Sequence, residues 1–206
     1  GYDVMQLFSE REFIDQGLGG YKDMAVDYVN NPAQMREFAV ELAGLDSTDS
    51  VEHKSRLLQA VNLLSTSLQQ YLPKITLMVK EAAGKQGGAL RYDADGATLY
   101  MTKGVANNYK SSLEVYAHEM YHAVTAYAID SKDAQIANVR RQIVNIKNQF
   151  LSEMAPDRLK EYMPDKSRDS AVKLLNYFAD ESVGLDEFVA YAMTNEATVN
   201  ALKDIK

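Results

Sequence analysis

Apolar residues recur at helical spacing along the first third of the chain and again along its second half. Proline stands in the first turn of one such segment and directly after another, and both are positions that helix ends favour. The longest of the later segments, residues 132–154, predicts an amphipathic helix with one apolar side. The pattern predicts helices over residues 3–18, 21–31, 32–45 and 50–72, and from Ser111 to the end of the chain.

The pattern changes between residues 74 and 103. The segment KITLMVKE is short, apolar and partly β-branched, and ALRYDADGATLYMTK has two apolar runs on either side of Asp95-Gly96, a pair typical of tight turns. Two or three strands are predicted here. The sequence therefore predicts a predominantly helical α+β domain with a small sheet before the next helix. We divide it into a helical N-terminal region packed on the core, residues 1–72, and the core itself, residues 73–206.

Composition excludes some classes of binding partner but does not indicate the cellular compartment. The 206 residues include 46% hydrophobic and 25% charged side chains, which is enough for a sizeable core. The net charge of -7 argues against nucleic acids and anionic membranes as partners, because both select basic surfaces. No secretory signal and no apolar run of bilayer length is found, so we expect a soluble chain of open localisation. Its start at Gly1 and its end within a helical pattern are typical either of a processed product or of a piece cut from a larger protein.

The segment SSLEVYAHEMYHAVTAYAID, residues 111–130, carries two of the three histidines in the chain. Ser111 and Glu114 form the pattern of a capping box, which predicts that a helix starts immediately before the histidines. His118 and His122 then project from one face, because four residues advance a helix by slightly more than one turn. Both imidazoles could reach one metal ion at about 2.0–2.1 Å per nitrogen. The chain has no cysteine, so any further ligand must be an imidazole or a carboxylate, a set that suits zinc.

Glu119 completes the pattern HExxH. Its side chain leaves the helix about 100° from that of His118, too far round to coordinate beside both histidines but near enough to contact an activated water. Two ligands and a general base are what zinc hydrolysis on this motif requires. The alternative is a half-buried histidine pair on an ordinary amphipathic helix. The capped helix, the strands before it and the scarcity of histidine weigh against that alternative, and the remaining histidine, His53, is predicted to lie at the surface.

A third protein ligand is expected, since catalytic zinc usually takes three and leaves a position for water. The extension HExxHxxGxxH is absent, because its glycine and histidine positions hold threonine and alanine. A carboxylate from a later helix is left, and Glu187 is favoured because the residues that follow it, Phe188 to Ala190, are apolar or small. Its alternative role is a buried glutamate paired with an arginine or a lysine. The other candidates are Asp130, Asp180, Glu181 and Asp186.

HEMYH followed by EFVAYAMTN resembles the gluzincin arrangement, in which two motif histidines and a downstream helical glutamate hold zinc. The chain is similar to the catalytic domain of anthrax lethal factor and to metallopeptidase-like domains of large bacteriophage and mobile-element proteins. The resemblance covers residues 74–200 and is specific at HEMYH and EFVAYA. It implies a zincin-like fold, one zinc ion per chain on His118, His122 and Glu187, and Glu119 as the general base.

These residues predict a zinc metallopeptidase that hydrolyses peptide bonds in a protein or peptide substrate. Tyr191 or Tyr177 is the expected donor to the oxyanion. Residues 97–102, ATLYMT, are the expected edge strand along which an extended peptide adds, and the alternative is a plain hairpin that packs on helices. The alternative function is a zinc-binding structural or interaction module of a larger phage or toxin-like protein, with weak or no cleavage. The presence of Glu119 argues against it, because an inactive homologue often loses its base.

Overall fold

A computed structural model of the chain describes residues 25–27, 32–45, 50–71, 75–80, 88–93, 96–102, 112–129 and 132–206. The predicted helix over residues 3–18 and the predicted capping residue Ser111 lie outside these ranges. The strands are β1 (Ala25–Asp27), β2 (Ile75–Lys80), β3 (Gly88–Asp93) and β4 (Gly96–Thr102). The helices are α1 (Pro32–Leu45), α2 (Val51–Tyr71), α3 (Ser112–Ile129), α4 (Ala134–Glu153), α5 (Pro156–Glu161), α6 (Arg168–Ala179), α7 (Gly184–Thr194) and α8 (Glu196–Lys203).

The four strands pair through their backbones in the order β1-β2-β4-β3. β3 and β4 pair antiparallel, with Asp93 opposite Gly96, and the predicted turn residue Asp95 lies outside the described residues. β2 runs parallel to β4, and β1 runs antiparallel to β2. The helix predicted over residues 21–31 is wrong at β1, whose three residues pair with Thr76–Met78. Apolar spacing over so short a segment does not distinguish a helix from a strand.

The position of β4 corrects the expected site of substrate addition. Residues 97–102 fall within β4, which is hydrogen-bonded to β2 on one side and to β3 on the other. A strand with both sides paired has no free backbone groups to offer a peptide. The alternation of ATLYMT marks a strand but does not show where in a sheet that strand lies. A peptide that extended this sheet would have to pair with β1 or β3 instead.

The predominantly helical character agrees with the prediction, but the predicted fold class, a zincin-like α+β domain with a small sheet before the histidine helix, is wrong, because the core whose side chains are described is built from helices. Among the described residues, every buried apolar side chain lies on a helix except Leu99 of β4 and Met154. Leu99 is the one strand residue whose side chain is described, and it is buried. Alternation of apolar and polar residues predicts that a segment pairs as a strand. Which side chains become buried depends on the elements that pack against them, and in the described core helices pack against helices.

The chain forms two compact units, Gly1–Val124 and Thr125–Lys206, and the division falls inside α3. The predicted boundary between residues 72 and 73 lies outside the described residues and stays a prediction. In the first unit, α3 is buried almost all round: ten of its side chains from Leu113 to Ala123 are buried. The Phe38 ring of α1 meets the Tyr116 ring of α3 edge to face, with centroids 5.0 Å apart. A helix apolar on every side is stable only when packed on all sides.

The second unit is organised by a cluster of aromatic rings. Phe178 of α6 packs edge to face against Phe188 and Tyr191 of α7, at centroid distances of 5.3 and 5.6 Å. Phe150, at the end of α4, lies 5.8 Å from Phe178 and 5.7 Å from Phe188. Such pairs contribute about 0.5–1.5 kcal/mol each beyond the burial of their area. The cluster therefore fixes which face of α7 points into this core.

Side-chain caps mark the starts of three helices of this unit, α4, α6 and α8. The Asp133 carboxylate accepts the backbone N–H groups of Gln135 and Ile136 at the start of α4. Ser167 and Asn195 cap α6 and α8 in the same way. The helices predicted from apolar periodicity in this region are thereby confirmed, because caps and periodicity both act over one or two turns. No helix among the described residues combines the length and the apolar composition needed to cross a bilayer.

Candidate metal centre

His118 and His122 face each other along one side of α3. Their Nε2 atoms are 2.9 Å apart, and their rings meet nearly at right angles, with centroids 4.5 Å apart and an interplanar angle of 80°. Both side chains are buried. The arrangement follows from helix geometry, since residues four apart stand one above the other.

This spacing of the two nitrogens fits a shared metal ion. Two ligands about 2.0–2.1 Å from one tetrahedral ion stand about 3.3 Å apart, so the observed separation needs only a small opening. Burial lowers the pKa of His122 to about 3, so its ring is neutral at neutral pH. A neutral imidazole has the lone pair that a metal requires. The electrostatics of the pocket thus favour a ligand rather than a cation at position 122.

Glu187 is the third member of the group. One ligand atom from each of His118, His122 and Glu187 lies within 4.8 Å of the others, and all three residues are buried. Two imidazoles and one carboxylate form a donor set that suits zinc and other borderline ions. The prediction of a metal-binding group on these residues is confirmed in its general form: a buried His-His-Glu group could hold a metal ion.

The corner between α6 and α7 sets the position of Glu187 along the chain. The Asp180 side chain closes this corner by accepting the backbone N–H groups of Ser182 and Val183 at 2.8 and 3.1 Å. At Gly184, an added Cβ would overlap the backbone carbonyl oxygen of Phe178 and lie 3.1 Å from that of Tyr177. Glycine is therefore required here by close approach of the backbone. It starts α7 three residues before Glu187.

The other candidate acids are placed differently. Asp180 is occupied as a turn residue, and hydrogen bonds from the Ser182 side chain and the Val183 backbone hold the pKa of its carboxyl below the usual range. Glu181 is exposed, and Asp130 lies outside the described residues. Asp186 precedes Glu187 directly in the sequence, and its side chain is buried. Burial raises the pKa of Asp186 to about 6, and the negative charge of Glu187 adds a smaller effect in the same direction. The ligand group in the described part of the chain does not include these acids.

Glu119 lies between the histidines in sequence and is also buried, with 1% of its surface exposed. It is not a member of the three-residue ligand group. This separation matches the predicted division between two ligand histidines and a base that leaves the helix about 100° away. The role of Glu119 stays a prediction.

His53 corrects a prediction of surface exposure. Its side chain is buried, and its Nε2 lies 3.4 Å from Oε2 of Glu114 in the first turn of α3. The signal was present in the sequence: Leu57 and Val61 follow His53 at four-residue steps and are also buried. The polar residues around His53 concealed that it belongs to the apolar face of α2.

The two candidate oxyanion donors lie at or near the aromatic cluster. Tyr191 is buried, with its ring against Phe178, and Tyr177 is partly buried against the same core. Packing of the ring and donation by the hydroxyl are compatible, because a tyrosine has an apolar body and a polar end. The oxyanion role of either residue stays a prediction.

Comparison with family models, with characterised proteins and with solved structures finds no match to this chain.

Proposed function

We propose that this chain is a zinc-dependent metallopeptidase that hydrolyses peptide bonds. The observation that carries the proposal is the buried group of His118, His122 and Glu187, because its two histidines belong to an HExxH sequence on one helix. Either feature alone is weaker support. A carboxylate can approach a histidine pair for structural reasons, and a five-residue motif can occur by accident.

Each residue has a distinct part in the proposed reaction. His118, His122 and Glu187 would hold zinc, which when bound lowers the pKa of water towards about 7 and polarises a carbonyl. The Glu119 carboxylate would accept the proton of the attacking water and return it to the leaving amine. Burial of Glu119 and of the ligands keeps bulk water away from the charged groups, which strengthens their electrostatic interactions.

The test combines metal analysis with a conservative variant of the base. Purified wild-type protein should contain one zinc per chain and should cleave an unstructured protein such as casein. Glu119→Gln keeps the size of the side chain but cannot accept a proton, so cleavage should fall at least about 100-fold, the lower bound for general-base catalysis. Zinc content should remain at the wild-type value. Glu181→Gln, the same change at an exposed glutamate, is the matched control and should leave both measurements unchanged.

Three results would contradict this scheme in different ways. Loss of zinc in Glu119→Gln would make Glu119 a ligand or a structural residue. Undiminished cleavage with zinc retained would assign the base to another group. Zinc in the wild-type protein without cleavage of any offered protein or peptide library would favour the alternative, a zinc-binding interaction module.

A further inference from the structure

His53 and Glu114 form a largely buried polar contact between α2 and the first turn of α3. The two atoms, Nε2 of His53 and Oε2 of Glu114, are 3.4 Å apart, and the side chains are 1% and 13% exposed. A carboxylate this far from solvent is stabilised by a partner that donates a hydrogen bond or carries positive charge. Separation of the pair would therefore remove one of the contacts that stabilise each of these two side chains.

His53 is itself held in place at both ends. Its backbone N–H donates to the Ser50 hydroxyl oxygen at 3.1 Å, which caps the start of α2. Its side chain continues the buried face formed by Leu57 and Val61. Because backbone and side chain are both fixed, His53 offers a rigid anchor to the residue that it meets on α3.

Glu114 connects this anchor to the metal ligands through one helix. Glu114, His118 and His122 follow one another at four-residue steps on α3 and occupy about 80° of its circumference. A contact that fixes the rotation of the helix at Glu114 therefore fixes the direction of both imidazoles. A rotation of about 15–20° at a radius of several ångströms would move each Nε2 by more than the roughly 0.5 Å that functional geometry tolerates.

We infer that His53 and Glu114 are positioning residues for the metal centre: their contact sets the rotation of α3 and thereby the aim of His118 and His122. This inference rests on the proposed metal site and adds a part of the N-terminal region to it. Neither residue coordinates the ion. His53 thus affects metal binding through the orientation of His118 and His122.

The experiment measures zinc affinity by chelator competition, and the absorption spectrum of the cobalt-substituted protein, for His53→Ala, Glu114→Ala and the double variant. Each single change should weaken zinc binding about 10-fold, the lower end of the effect of outer partners in metal sites. The double variant should add little, because either change already breaks the contact. The cobalt spectra should shift, since they report the geometry of the ligands. His53→Gln, which retains a donor near the position of Nε2, should keep most of the wild-type affinity.

Val61→Ala is the matched control, because it removes a buried side chain from the same helix without changing the polar contact. It should lower the free energy of unfolding while leaving zinc affinity and the cobalt spectrum unchanged. The inference is overturned if the His53 and Glu114 variants match wild type in both measurements, or if Val61→Ala weakens zinc binding equally. If the Ala variants do not fold, His53→Phe and Glu114→Leu, which remove the polar groups but keep most of the side-chain volume, decide, and additive effects of these two changes on zinc affinity would overturn the coupling. Absence of zinc binding in the wild-type protein would instead refute the proposed function, and this inference with it.

Discussion

The helix that carries the two histidines and the helix that carries Glu187 are specified by different kinds of information. On α3, the separation of His118 and His122 follows from the pitch of any α-helix, and the two Nε2 atoms converge to 2.9 Å without help from a loop. On α7, the position of Glu187 depends on the turn at Asp180, the close approach at Gly184 and the ring cluster around Phe188. Two members of the candidate metal-binding group are thus placed by local helix geometry, and the third is placed by tertiary packing. The difference predicts where substitutions outside the site should affect metal binding.

Removal of a ligand should have the largest effect and tests whether both helices are needed. Glu187→Ala and His118→Ala should each weaken zinc binding by more than about 100-fold, because outer partners of metal sites already contribute about 10–100-fold. Chelator competition and elemental analysis after dialysis measure this. Glu181→Ala, at an exposed position of the same corner, should bind zinc as wild type does. Full zinc affinity in Glu187→Ala would mean that the local pair suffices or that Asp186 replaces the glutamate, and the comparison would fail.

A smaller effect on zinc binding is expected from substitution of Gly184. This residue has no side chain that could bind a metal, but the backbone turn between α6 and α7 depends on it. Gly184→Ala should lower the free energy of unfolding by about 1–3 kcal/mol, as overpacking typically does, and should weaken zinc binding because α7 must shift. Urea unfolding of the metal-free protein and zinc competition measure the two effects separately.

Gly44 provides the matched control for this change. An added Cβ at Gly44 meets nothing within 4 Å, so Gly44→Ala should be neutral or should stabilise α1 by up to about 1 kcal/mol. Zinc affinity should not change. If Gly184→Ala were as stable as wild type and bound zinc equally well, the corner would not constrain Glu187.

The last prediction concerns Asp186 on α7 and the dependence of protein stability on pH. Burial raises the pKa of Asp186 from an ordinary value of 3.8 to about 6, so the folded state binds its proton more tightly than the unfolded chain does. Stability from this group is therefore lost as the pH rises from about 4 to about 6, and the buried charge is unfavourable above that range.

Asp186→Asn removes that titration. In urea unfolding of the metal-free protein, the variant should be more stable than wild type at pH 7, and the difference should shrink towards pH 4. A difference that is independent of pH would show that the carboxylate is compensated in the fold. The sign of the difference in unfolding free energy at pH 7 is the informative result. A more stable variant means that the buried Asp186 carboxylate destabilises the fold, and a less stable variant means that other groups stabilise it.

The predictions that succeeded depend on short distances along the chain. The helices after residue 132 were identifiable from apolar periodicity, and the structure adds the cap at Asp133 where the first of them starts. Those that failed depend on distant packing. His53 was expected at the surface because its neighbours are polar, although its four-residue register with Leu57 and Val61 placed it on the buried face. The central place of β4 could not be deduced from its own alternation, which is the same in edge and inner strands.

The sequence by itself determined the histidine pair, because a helix places residues four apart on one face whatever surrounds it. It also restricted any metal ligand to imidazole or carboxylate, since the chain has no cysteine. Only the tertiary structure decided that Glu187 joins the histidines while Asp180 caps a turn, and that His53 is buried against Glu114. The physical reason is range: helix pitch and turn chemistry act within a few residues, whereas the burial of a given side chain depends on segments far away in sequence that pack against it.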